Sequence, residues 1–134
     1  MNEVLKDGPW AGFQIVHTYT RAQAISDGVL IDLTSSFPNE TRMYRWNVCC
    51  TDSVWSLIER AAECDSTEVA VYVWDVCYMS HLAIAALRDS GHPELYFKVC
   101  LPLGTPEKKL KMVSGPVGFD DPSPCLTIML PSED

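Results

Sequence analysis

Apolar positions recur along this chain with more than one period. From Val69 to Leu87 nearly every residue is apolar, the interruptions being Asp75, Ser80 and His81. Val69, Val71 and Val73 alternate with Ala70, Tyr72 and Trp74 as a strand would, yet Val69, Val73, Val76, Ser80, Ala83 and Leu87 also follow a helical stripe. Asp65 with Glu68 reads as a capping pair, and Gly91 with Pro93 as a stop after Arg88. The pattern therefore predicts one long helix from about Ser66 to Asp89 in the middle of a domain. Its polar interruptions argue against a membrane span, which needs about 20 mostly apolar residues.

After Pro93 the period changes to two. Leu95, Phe97, Val99 and Leu101 alternate with Tyr96, Lys98 and Cys100; Leu110 and Met112 with Lys109, Lys111 and Val113; Leu126, Ile128 and Leu130 with Cys125, Thr127 and Met129. Three half-buried strands in succession predict an antiparallel meander. Upstream, Thr20 and Gln23 fit a capping box for a short helix that Gly28 ends, and Val29 to Leu33 reads as a short buried strand. Thr34 to Thr41 reads as a loop, and Tyr44 to Cys50 as a strand with Trp46 and Val48 on one face. Thr51 opens a helix with Trp55, Ile58 and Ala62 at helical spacing. Residues 1–17 read as an arm packed on the domain, with a short strand near Phe13 to His17. The fold class expected is α+β: a central long helix packed on a mostly antiparallel sheet, with two further helices, in one domain over residues 1–134.

Charge changes the picture more than composition does. Eighteen acidic against ten basic side chains give a formal net charge of −8. A field of that sign repels phosphate backbones and favours partners with basic surfaces. The first residues lack a basic stretch followed by an apolar run, so a cytoplasmic setting is expected. Cys49, Cys50, Cys64, Cys77, Cys100 and Cys125 form no CxxC, and reduced thiols in the core are the expectation.

Candidate chemistry is sparse. Cys77 and His81, four apart on a helix, share a face and are the residue types of half a zinc site or of a nucleophile with its base, but no second ligand pair has matching spacing. Asp75, a carboxylate in an apolar helix, must be exposed, hydrogen-bonded or perturbed; a pairing with Arg21 or Arg45 is the structural expectation, and a small catalytic site with Cys77 and His81 the alternative. Gly115-Pro116-Val117-Gly118 lacks the lysine and the strand-to-helix setting of a phosphate loop. Lys98, Lys109 and Lys111 beside Tyr96 form a second alternative, a small basic and aromatic patch for nucleic acid.

Tyr19-Thr20-Arg21-Ala22-Gln23-Ala24-Ile25, Asp27-Gly28-Val29-Leu30-Ile31-Asp32 and the ending Thr127-Ile128-Met129-Leu130-Pro131 with Glu133-Asp134 resemble a family of small proteins of unassigned activity carried by bacterial phages, plasmids and other mobile elements. Trp74-Asp75-Val76 and Leu110-Lys111 look similar to internal parts of that pattern. The resemblance implies context rather than catalysis: small acidic proteins of this origin include inhibitors of host defence such as anti-CRISPR proteins. The expectation is a non-enzymatic inhibitor without cofactor or metal, whose acidic, nucleic-acid-mimicking surface occupies a basic groove on a host protein or ribonucleoprotein complex. Asp120, Asp121, Glu133 and Asp134 are its expected contact carboxylates. Exposed strand edges and tryptophans also admit a homodimer.

Overall fold

The computed structural model describes residues 3–4, 14–15, 21–87, 94–104, 106–116 and 124–133. In chain order these form β1 (Glu3–Val4), β2 (Gln14–Ile15), α1 (Arg21–Ser26), β3 (Leu30–Asp32), α2 (Leu33–Ser36), β4 (Asn47–Thr51), α3 (Asp52–Cys64), α4 (Val69–Leu87), β5 (Glu94–Cys100), β6 (Glu107–Pro116) and β7 (Pro124–Met129). β1 and β2 pair with each other in an antiparallel ribbon. The other five strands make one mixed sheet in the order β3-β4-β7-β6-β5.

The strands β5, β6 and β7 form the antiparallel meander that their alternation predicts. The sheet does not stay antiparallel, because β7 also pairs with β4 in parallel, Val48 opposite Leu126 and Cys50 opposite Ile128. Alternation specifies which face a side chain takes but not which strand lies alongside. Here it places Val48, Cys50, Leu126, Ile128, Leu110, Met112, Phe97 and Val99 on a single buried face.

Two helices cover that face. α3 is capped by the Thr51 hydroxyl, which accepts the Val54 N–H, and it buries Val54, Ile58, Ala61 and Ala62 against β3, β4 and β7. α4 lies over β5, the last strand of the sheet, and packs beside α3. Its buried residues are Tyr72, Val73, Val76, Cys77 and Ser80.

The start of α4 differs from the expected capping pair. Asp65 ends α3 instead, and its carboxylate accepts the Tyr72 hydroxyl at 2.5 Å, which pushes that phenol up to about 12. Ser66 follows with φ 52°, while Ser66 N–H bonds to the Glu63 carbonyl and Thr67 N–H to the Ala62 carbonyl. This is a Schellman ending with serine in the left-handed position. Gly28, φ 77°, ends α1 through the same pair of bonds, Gly28 N–H to Ile25 and Val29 N–H to Ala24, as its position predicts.

The segment read as a loop from Thr34 begins with a helical turn, α2, because Asp32 caps it: its carboxylate accepts from the Ser35 N–H at 3.2 Å and the Ser35 hydroxyl at 2.9 Å. The described residues thus hold four helices, the long one and three shorter ones. The strand expected from Tyr44 starts only at Asn47, leaving Trp46 outside it, exposed under the Arg45 guanidinium at 5.5 Å. No disulfide joins any of the six cysteines, and Cys49, Cys50, Cys77 and Cys125 are buried.

The second face of the sheet is also partly covered. Arg21, at the start of α1, donates to Thr127 Oγ1 and to the Leu126 carbonyl, both at 3.1 Å, near buried Cys49, whose thiol burial pushes up to about 11. Among the described residues no buried side-chain nitrogen or oxygen lacks a hydrogen-bond partner.

Ser66 carries the strain that glycine would relieve. Ser66→Gly is expected to raise stability by roughly 0.5–1 kcal/mol, read as a higher urea midpoint with unchanged slope. A lower midpoint would contradict the left-handed assignment.

Candidate interaction surface

α4 is apolar on every side, but the protein uses only part of it. At 100° per residue, Val73, Val76, Cys77 and Ser80 fall on one arc, which packs inward. Val71, Trp74, Tyr78, Met79 and Leu82 fall on the opposite arc and keep between 36 and 49% of their surface exposed. Ala85 and Ala86 continue this arc toward the C-terminal end of the helix. By length and composition α4 is the one helix among the described residues able to cross a membrane, yet only 28% of that stretch is buried here. A helix whose sole role is to fill a core would be mostly covered.

The flanks of the exposed arc are ordered by specific contacts. On one side Trp74 stacks on Tyr78, ring centroids 5.6 Å apart and planes 18° from parallel, and the Arg42 guanidinium stands 6.0 Å from the Trp74 ring. Deeper on that side the Ser80 hydroxyl donates to the Cys77 carbonyl at 2.7 Å, so the Tyr44 hydroxyl must donate to Ser80 Oγ, at 2.6 Å. Burial pushes the Tyr44 phenol well above its usual range, and the ring meets His81 edge-on at 5.6 Å. These bonds tie the middle of α4 to the segment before β4.

On the other side, Asp75, Tyr78 and Met79 border a cleft of about 300 Å³, closed by Lys98, Val99 and Cys100 of β5 and by Glu107 of β6. Lys98 and Glu107 pair across it at 3.3 Å with both side chains well exposed, so the pair adds little stability. Asp75 is half-buried, and burial raises its carboxyl above the ordinary 3.8. Neither expected arginine reaches it: Arg21 is bonded to β7, and Arg45 covers Trp46.

The structure separates Asp75 from the other two alternative catalytic residues, Cys77 and His81. Asp75 and Cys77 are two apart on a helix and leave it in nearly opposite directions. Asp75 borders the cleft, whereas Cys77 is fully buried and its thiol is pushed up to about 12, chiefly by that burial, which suits neither a nucleophile nor a thiolate ligand. His81 packs against Tyr44. Among the described residues no three His, Cys, Asp or Glu side chains gather as metal ligands would.

The lysine patch is assembled, with Lys98 opposite Lys109 and Tyr96 opposite Lys111 on the outer face of β5 and β6, but its charges are engaged. Lys111 is 6% exposed and its ammonium donates to the Glu133 carbonyl, Lys98 is paired with Glu107, and Lys109 sits 4.8 Å from the Tyr96 ring centre. Of the expected contact carboxylates, Asp120, Asp121 and Asp134 lie outside the described residues. Glu133 is half-buried, and its Oε1 accepts from the Thr51 hydroxyl and the Leu130 N–H, both at 2.8 Å. It fastens the end of the chain to the cap of α3.

Comparison with known proteins finds no match to a family model, a curated protein or a solved structure. The exposed arc of α4 is the feature that sequence reasoning missed, since a segment apolar all round reads as buried all round. The signal available was Tyr78 and Trp74, amphipathic aromatics at a spacing of four within it.

Because the folded state holds the Asp75 proton more tightly than the unfolded chain, the charged carboxylate costs stability above its raised pKa, and that cost is gone below 3.8. Asp75→Asn should accordingly melt higher than the parent protein at pH 7, the gap closing as the pH falls below 3.8. A variant that melts lower at pH 7 would mean the carboxylate makes a favourable contact.

Proposed function

We propose that this protein acts without catalysis, by contact with other protein chains, and that the exposed arc of α4 is a contact surface. The observation that carries the reading is the row of large apolar side chains, Val71, Trp74, Tyr78 and Leu82, left open to solvent on successive turns of one helix. Apolar surface of this type, edged by Arg42 and Lys98 and carrying the Asp75 carboxyl within it, marks an interaction site. Tyrosine and tryptophan are the residues that most often carry binding energy at such sites.

The consequence of contact is set by the mobile-element context. In that setting the protein inhibits a host defence complex of the anti-CRISPR target type. The net charge of −8 supports a target with a basic surface, which the acidic protein would approach quickly at low salt.

Bacteria carrying a defined defence system test this directly. Expression of the chain should raise the plating efficiency of a targeted phage, and the double variant Tyr78→Glu, Leu82→Glu should lose that effect while melting within a few degrees of the parent. Plating unchanged by the parent protein across CRISPR and restriction systems would remove the inhibitory role. Full activity in the double variant would remove the α4 surface from it.

A further inference from the structure

Resting on the reading of α4 as a contact surface, we infer that its occupant is a second copy of this chain, joined edge to edge along β5. β5 is the last strand of its sheet, and its outer side meets no strand among the described residues. All seven residues of β5 pair with β6 on one side, and on the other side the N–H and C=O groups of alternate residues are open to another strand. A two-fold axis makes that strand β5 of the partner subunit, running antiparallel.

Charge selects the register. Glu94, Tyr96 and Lys98 all point to the outer face of the sheet. With the axis at Tyr96, Glu94 stands directly opposite Lys98 of the partner subunit, and the same pair forms again on the other side of the axis. Lysine on an edge strand ordinarily discourages pairing. Here an acid two positions before Tyr96 and a base two positions after it make the edge complementary to itself, and opposite charges across a strand pair are favourable.

The position of α4 makes the same axis work for the helix. α4 lies over β5 rather than over the middle of the sheet, so it stands at this border. Strands join at about 4.8 Å whereas packed helices stand about 8–10 Å apart, so the two α4 helices meet across the axis only when each is set back from its joining strand. The exposed arcs, Met79 and Leu82 foremost, then face each other across the axis. The cleft beside Asp75 opens on that border and closes in the same step. The pair presents the acidic exterior of both chains to a third partner.

Sedimentation of the full chain over a range of concentrations tests the inference. The expected mass is twice 15.0 kDa. Glu94→Lys and Lys98→Glu should each weaken self-association by about ten-fold or more, and the two together should restore it, because each residue faces the other across the axis. Tyr78→Glu with Leu82→Glu should give a folded single chain. A single-chain mass at every concentration overturns the inference, and so does a double mass indifferent to the charge exchange or binding of the α4 arc to neutral lipid vesicles in place of a second copy. None of these results removes the contact reading itself, which falls only if the Tyr78→Glu, Leu82→Glu variant keeps full activity against host defence.

Discussion

A helix that is apolar on every side cannot bury all of itself when it lies over the last strand of a sheet. That constraint shapes this protein. The inner arc of α4, with Val73 and Val76 fully covered, closes the core over Phe97 and Val99 beside α3. Nothing among the described residues covers the outer arc, so the same hydrophobic effect that holds the fold together leaves an unsatisfied surface. The choice of side is fixed by polar contacts. Tyr44 bonded to Ser80 holds one flank, and Tyr72 bonded to Asp65 sets the helix start, so α4 cannot roll to hide its exposed residues without breaking them.

The buried polar groups follow the complementary rule that each must find a partner. Lys111 is interior because the Glu133 carbonyl receives its ammonium, while the Glu133 carboxylate serves the Thr51 hydroxyl that caps α3. One short turn at the end of the chain thereby links β6, β7 and the start of α3. Arg21 does the equivalent on the second face, where its guanidinium joins α1 to β7. Each of these long-range bonds uses a charged side chain as a structural clip, which is why so few of the candidate charges remain free for chemistry.

Much of the architecture was legible because period and punctuation agree locally. The alternation from Leu95 to Leu101, the Thr51 cap, the Gly28 ending and the long helix through Trp74 all follow from patterns within a few residues of themselves. What was not legible depends on distant partners. The parallel join of β4 to β7 unites segments about 75 residues apart, and no local pattern encodes it. Lys111 read as outward because its position in the alternation is outward; only the chain end folding back over it makes it interior. Asp65 read as the start of the next helix because its distance to Glu68 fits a capping box, but Ser66 turning left-handed gives it to the end of the previous one. Asp75 and Cys77 are not brought into one site for a geometric reason, since residues two apart cannot face the same way on one helix. The most informative surface was hidden by its own composition.

A contact surface on α4 requires the two sides of the helix to be energetically different. Chemical denaturation of Val76→Ala and Leu82→Ala, each extrapolated to infinite dilution so that self-association does not contribute, measures that difference. Val76→Ala should cost about 2 kcal/mol and Leu82→Ala less than about 0.5 kcal/mol. Equal losses at the two positions would mean the helix is enclosed on all sides, and the contact surface would not exist.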